Sequence, residues 1–404
     1  MNSWNKNILN LEEKEDILAK AMEITKKKVV NPNLIDATIG TLYDENHQIC
    51  VLNVIKESMK ELDDKNIFAY NATQGPATFE KNLISYLFKQ YKEEILKSKY
   101  IKVIPTPGAT GAINSTLAII LNEQQYVLIP SLCWNVYFNM CDSMNLKIEK
   151  YNYIKDNHFD LDDFINHVNN ISKTQKEIVT ILNDPCNNPT GYSLSDEEFD
   201  QLIQFMNSRK DLEFTLIYDV AYYEYSKYDS RKRFAKLKDL GENVFTILTW
   251  SSSKAFTLYG LRVGAMVIID SNKSKVEKFY EYGKMLARLR WSCTSTLGLN
   301  GINNILSDEN KVKELAKELN IFENMLYKRV ELFEKEAKEI SLNMIPYRGG
   351  FFVSIPCNNP KELTLKLEQK DIYVIANDQV IRIAICGINL NEVKGLAKKI
   401  KECL

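Results

Sequence analysis

Five runs in the middle of the chain are apolar almost throughout: YVLIP at 126–130, EIVTILN at 177–183, FTLIYD at 214–219, NVFTILTW at 243–250 and GAMVIID at 264–270. A strand covered on one face alternates apolar and polar residues, whereas a continuous apolar run must be covered on both. Between these runs lie helical patterns such as SDEEFDQLIQFMNSRK at 195–210. Ser195 with Glu198 three residues on is the pair that caps a helix start reciprocally. This alternation predicts an α/β architecture, a mostly parallel sheet with helices on both faces. In such sheets ligands bind outside the carboxyl ends of the strands, so polar residues that follow the runs are the ones to read for chemistry.

The rest of the composition narrows the function classes. A chain of 404 residues accommodates two or three structural units. Lys+Arg at 52 nearly balance Asp+Glu at 53, which argues against a strongly basic nucleic-acid binder. No window approaches the run of about 20 apolar residues that spans a bilayer, and the N-terminus lacks the apolar core of a secretory signal. Eight cysteines without a C-x-x-C pair, and only three histidines, give no metal cluster and suit reduced thiols in a cytoplasmic protein. Towards the C-terminus the character changes. A charged amphipathic pattern at 308–340 predicts one or two long helices, and the short runs GGFFVSI (349–355) and QVIRIAIC (379–386) predict strands of a smaller α+β unit.

Four motifs carry the chemistry. PTPGATGAINSTLAIIL (105–121) leads from a Pro/Gly turn into a helix, with Gly108, Ala109, Thr110 and Gly111 at its mouth. Small residues there suit either a plain tight turn or an anion held on helix N-terminal amides. NDPCNNPTGYSL (183–194) follows a strand and presents Asn188 at its edge, or simply turns the chain. FTLIYDVAYYEYSK (214–227) ends an apolar strand on Asp219, with Tyr222 three residues later; the carboxylate either caps the turn or meets a cation. TWSSSKAFTLYGLRVGAM (249–266) sets Lys254 among apolar neighbours, where desolvation lowers the amine pKa and leaves it nucleophilic toward an aldehyde. Ser251, Ser253 and Arg262 supply donors for a phosphate. An aldehyde and a phosphate on one molecule describe pyridoxal 5'-phosphate, whose pyridinium nitrogen needs an anion such as Asp219. Ser252 has no evident role in this reading.

With S-x-S-K followed by an arginine eight residues after the lysine, supported by N-N-P-T-G and D-V-A-Y, the chain resembles the class I pyridoxal-phosphate-dependent aminotransferases, close in layout to aspartate and aromatic aminotransferases. The resemblance runs from ATIGTLYDENHQ (37–48) to VIRIAICGIN (380–389). It implies a seven-stranded large domain at 48–318, a smaller α+β domain from 15–47 and 319–404, and an N-terminal arm at 1–14. It further implies that Lys254 forms the internal aldimine and shuttles the substrate proton. Asp219 then pairs with the pyridine nitrogen, and Asn188 and Tyr222 bind the phenolic oxygen. Gly108, Ala109, Thr110, Ser251, Ser253 and Arg262 hold the phosphate, Trp134 stacks on the ring, and Tyr70 reaches the phosphate of a neighbouring subunit in a homodimer. Arg382 clamps the substrate carboxylate, Ile39 and Gly40 close over it, and Arg288 reads a distal carboxylate. The chain departs from the family pattern there, with Cys293 and Thr294 where Asn-Pro is usual and with Arg290 close by. The implied activity is transfer of an amino group between an aspartate-like or aromatic L-amino acid and a 2-oxo acid such as 2-oxoglutarate. A lyase of the same fold, for example a C–S β-lyase, and a non-catalytic ligand-binding regulatory protein are the alternatives.

Overall fold

The structure, a computed structural model, describes residues 17–404, so the arm expected at 1–14 lies outside the described residues. Seven strands form the central sheet: β1 (Tyr100–Thr106), β2 (Tyr126–Pro130), β3 (Lys147–Tyr151), β4 (Glu177–Asn183), β5 (Glu213–Asp219), β6 (Val244–Ser251) and β7 (Gly264–Asp270). Their order across the sheet is β1-β7-β6-β5-β4-β2-β3. All neighbouring pairs are parallel except those of β7, which runs against both β1 and β6. The connection explains the reversal. Between β6 and β7 lies only the segment 252–263, with one short helix, Ser252–Ala255, too little to carry the chain back across the sheet as a parallel crossover requires.

The continuous apolar runs become strands because both sheet faces are covered. Every residue of β6 and β7 is buried, and β4 and β5 are buried after their first residue. Burial of each Val, Leu or Ile contributes roughly 1.5–3 kcal/mol, so a polar substitution inside β6 would be strongly destabilising. The helix Asp196–Ser208 opens with both halves of the Ser195–Glu198 capping box in place.

The charged pattern at 308–340 is a single helix, Glu309–Glu339, of 31 residues. It leads to a second sheet of three antiparallel strands, β8 (Phe352–Pro356), β9 (Ile375–Asn377) and β10 (Val380–Ala384), in the order β8-β10-β9. The 349–355 run becomes strand only at Phe352, because Gly349 and Gly350 adopt φ of 137° and 87°, outside strand geometry. The N-terminal segment joins this unit through Ile35–Asp36, which pairs in parallel with Ile372–Tyr373. Arg329 of the long helix is fully buried and ties the same segment down. It donates to Glu45 Oε1 (2.8 Å), to the Tyr43 carbonyl (2.8 Å) and to the Cys386 carbonyl (3.1 Å). One apolar cluster runs continuously through both sheets.

Register fixes where polar residues collect. Gly264 pairs with both Thr106 and Ser251, Asn183 pairs with Asp219, and Asp219 pairs with Thr249. The ends of β1, β4, β5 and β6 and the start of β7 therefore share one edge.

Candidate active site

At that edge, β1 turns through Gly108 (φ +71°) into the helix Gly108–Ile120. Thr106 Oγ1 donates to the Gly108 carbonyl at 2.8 Å and holds the turn. The first-turn amides of Gly108, Ala109 and Thr110 have no acceptor within the helix and carry the positive end of its dipole. Arg262, itself at φ +53°, lies against this helix start: a Cβ on Gly108 would stand 2.6 Å from its Nη2. Its Nη1 donates to Ser253 Oγ (3.3 Å) and to the Tyr259 carbonyl (3.0 Å). Ser251 Oγ accepts from the Ser253 amide at 3.2 Å. A guanidinium, two hydroxyls and a helix N-terminus converge as a compact anion-binding cluster. Ser252 acquires a role here. Its amide and hydroxyl both donate to the Val263 carbonyl (3.0 and 2.8 Å), pinning the loop that returns Arg262 to the strand edge.

Lys254 sits in the short helix after β6, partly buried, with its Nζ donating to the Gly40 carbonyl. The rings of Tyr259, Phe351 and Tyr222 surround the amine, with centroids 4.6, 5.4 and 5.7 Å away. Burial lowers its pKa to about 8, reinforced by the positive charges of Arg382 and Arg262 and opposed by the Cys386 thiol. A minority of the amine, far more than for an ordinary lysine, is therefore neutral and nucleophilic near neutral pH.

Asp219, at the end of β5, is 4% exposed. Its Oδ1 accepts from the Ala221 amide at 3.0 Å and its Oδ2 from the Tyr137 hydroxyl. Burial raises the carboxyl to about 6, against the pull of those two hydrogen bonds. Asn183 links the strand ends, donating to the Asp219 carbonyl (2.9 Å) and accepting from the Asn188 amide (2.7 Å). Tyr222 is buried beside Asp219, its ring packed edge-on against Phe351 and Phe352, and burial pushes its hydroxyl well above the ordinary range. Trp134 is half-buried and meets Tyr137 edge-on, ring centroids 5.6 Å apart.

Arg382, on β10, reaches in from the second sheet. It donates to Asn188 Oδ1 (3.2 Å) and to the Thr38 carbonyl, and its guanidinium lies 4.4 Å from the centre of the Phe352 ring. Its Nε is buried without a partner among the described residues. A planar fork with an unsatisfied donor is suited to a carboxylate. Ile39 and Gly40 cover this end of the site. A Cβ on Gly40 would stand 2.8 Å from the Phe352 ring, so the ring packs directly on the backbone.

The structure does not bring every residue of the sequence reading to this edge. Tyr70 is 91% exposed. Arg288 is exposed and donates to Ser292 Oγ, while Arg290 is anchored on its own chain by Asn114 Oδ1 (2.5 Å). Conversely, the sequence reading missed Tyr137, Tyr259, Phe351 and Phe352. Tyr259 and the two phenylalanines lie within motifs already singled out, whereas Tyr137 carries no local signal, because a phenol in CWNVYFN reads as core.

Comparison with known proteins identifies the family and the fold. The family profile "Aminotransferase class I and II" matches residues 32–400. The mitochondrial aspartate aminotransferase of Saccharomyces cerevisiae is 24% identical over 93% of this chain and 90% of its own length. The Escherichia coli aspartate aminotransferase is 23% identical over 91% and 93%. Among solved structures, an aminotransferase from Anaerococcus prevotii superposes with a TM-score of 0.93 at 32% identity, covering 99% of this chain and 98% of that one. An aromatic-amino-acid aminotransferase from Burkholderia pseudomallei, covalently bound to pyridoxal phosphate, shares the fold with a TM-score of 0.82 at 19% identity, covering 98% of each chain. The chain belongs to the class I and II aminotransferase family.

Proposed function

We propose that the chain is a pyridoxal-phosphate-dependent transaminase that works by a ping-pong scheme between an L-amino acid and a 2-oxo acid. The site's own features fit the cofactor: an anion cluster tight enough that Gly108 has no room for a Cβ beside Arg262, a buried carboxylate at Asp219, and an amine at Lys254 whose pKa is lowered to about 8. The single observation that carries the reading is that Lys254, Asp219 and the Arg262 cluster share one sheet edge. When bound, pyridoxal phosphate supplies an aldehyde for the amine and a ring that accepts the electron pair of the substrate's α-carbon.

The chain's residues supply the rest. Arg262, Ser251, Ser253 and the amides of Gly108, Ala109 and Thr110 would hold the phosphate. Asp219 would pair with the ring nitrogen, Asn188 and Tyr222 would bind the phenolic oxygen, and Trp134 would stack on the ring. Arg382 takes the substrate α-carboxylate through its free Nε, oriented by Asn188 and the Thr38 carbonyl. Ile39 and Gly40 exclude water above it. Lys254, as a neutral amine, moves the α-proton.

The exposed residues complete a homodimer in this reading. Phe68 (80% exposed), Tyr70, Met285 (57%) and Leu289 (77%) are apolar and uncovered. Thr296 donates to the Ala69 carbonyl and Thr73 to the Ser292 carbonyl, joining these segments into one surface. A second copy covers it, with Tyr70 reaching the neighbour's phosphate and Arg288, the less anchored of the two arginines, reading a distal carboxylate. The substrates are aspartate-like or aromatic amino acids with 2-oxoglutarate or glutamate, in a cytoplasmic setting suited to eight free cysteines. The domain division at 15–47 and 319–404 against 48–318 is part of the same reading. A half-reaction screen tests it: each amino acid is added to the yellow holoenzyme and loss of the lysine-linked cofactor absorbance is followed. Absence of bleaching by every amino acid, or release of pyruvate and ammonia without a 2-oxo acid, would overturn transamination.

A further inference from the structure

Trp134 lies in the stretch 131–135, between β2 and the helix Val136–Ser143, where the chain is neither strand nor helix. A buried carbonyl in such a stretch must find its donor elsewhere. Cys133 is fully buried, and its carbonyl accepts from Asn377 Nδ2 at 3.1 Å. The same Nδ2 lies 3.4 Å from Asn135 Oδ1, so one amide grips the chain on both sides of Trp134. Asn377 is 6% exposed and comes from the second sheet, at the end of β9, where it pairs with Val380 across the turn Asp378–Gln379. Ile375 pairs with Arg382, and alternate residues of a strand share a face, so Asn377 and Arg382 stand on one face of that sheet.

The cost of the arrangement shows what it is for. Asn377 Oδ1 is buried without a partner among the described residues. Turning the amide over would set that oxygen against the Cys133 carbonyl, acceptor against acceptor, so the orientation is fixed by what Nδ2 holds. Ser354, which pairs with Arg382 on the same face, donates to the Pro189 carbonyl at 2.8 Å and docks the sheet without touching the Trp134 stretch.

We propose that Asn377 is a positioning residue that holds the indole of Trp134 in place for the cofactor ring. The strand pair bearing Arg382 then supports the ring-stacking residue as well as the carboxylate clamp. The inference rests on the pyridoxal-phosphate reading of the site. The indole is half-buried, and its attitude follows from the main chain at 133–135. Releasing the Cys133 carbonyl lets that stretch turn toward another donor, and the indole turns with it.

The test uses full-length protein grown with 5-fluorotryptophan, as apoprotein and after addition of pyridoxal phosphate, read by 19F NMR. The chain has four tryptophans, and the resonance lost in Trp134→Phe is that of Trp134. Asn377→Ala is expected to shift or split this resonance already in the apoprotein and to leave the other three in place. Cofactor binding, titrated on the apoprotein, is expected to weaken about 2- to 10-fold, the scale of one neutral hydrogen bond. Ser354→Ala, which removes the neighbouring cross-link, is expected to leave the Trp134 resonance unmoved. An unmoved Trp134 resonance in Asn377→Ala refutes the proposal. So does an equal movement in Ser354→Ala, which would make Asn377 one docking contact among several. If Asn377→Ala does not fold, Asn377→Asp takes its place, since it keeps the size of the side chain and replaces the donor by an acceptor. An unmoved resonance there refutes the proposal, and a movement confined to Trp134 supports it. Should wild type bind no pyridoxal phosphate, the parent reading fails, while the apoprotein spectra still decide whether Asn377 holds the indole.

Discussion

Gly108→Ala separates the strain of a backbone position from the chemistry beside it. The new Cβ would stand 2.6 Å from Arg262 Nη2 and 3.2 Å from Cζ, against ordinary contacts of about 3.5–4.0 Å. The guanidinium is the far end of a flexible side chain and can retreat by about an ångström. The second effect is the φ of +71°, where a Cβ costs roughly 1–2 kcal/mol. That strain is present with and without cofactor, so it lowers stability, by roughly 1–2 °C in midpoint temperature for a chain of 404 residues, and cancels from affinity. The retreat of Arg262 does not cancel. Losing one charge-assisted hydrogen bond to the phosphate is worth roughly 1.5–3 kcal/mol, or about 10- to 150-fold in the dissociation constant. Titration of apoprotein by tryptophan quenching gives the affinity, and thermal melts with and without pyridoxal phosphate give the strain. Gly260→Ala is the control, since a Cβ there meets nothing within 4 Å. Wild-type affinity in Gly108→Ala would show that Arg262 does not face the phosphate.

Lys254→Ala should abolish the borohydride-trapped cofactor adduct in the denatured protein; an unchanged adduct would assign the covalent link to another lysine. The lowered pKa of Lys254 has a signed consequence for the apoprotein. Between about 8 and the unfolded value of 10.5 the native state binds fewer protons than the unfolded state, so stability rises with pH across that window. Urea denaturation of Lys254→Met apoprotein should lose this part of the slope, and an identical slope would mean the amine is not desolvated. Arg382→Ala should weaken amino-acid binding in the half-reaction by roughly 10- to 150-fold, in line with the loss of a charge-assisted hydrogen bond, and leave cofactor affinity within a few-fold. Equal loss of both would place Arg382 at the cofactor.

The large sheet was legible because burial on both faces leaves a pattern no other element leaves: 126–130, 177–183 and 264–270 are strands from end to end. Asp219 and Lys254 stood out because charged groups at the ends of such runs are expensive unless used. Other features leave no mark in one dimension. The reversal of β7 is a matter of connection length, readable only once the Lys254 loop is known not to contain a crossover helix. Tyr137 acquires its meaning from a residue 82 positions away. The carbonyls of Thr38 and Gly40, which accept from Arg382 and Lys254, are backbone groups that every residue possesses, and nothing in ATIGTLYD singles them out. The surface around Tyr70 belongs to an assembly, and a single chain expresses it only as apolar residues left uncovered.

Arg329 bears on how the N-terminal segment and the second sheet are held to one another. Because one buried guanidinium grips both the segment after Gly40 and the chain just past the strand bearing Arg382, that segment and that strand share a single mechanical frame built on the long helix. Displacing the segment after Gly40 without the strand of Arg382 would break the hydrogen bonds of a fully buried guanidinium.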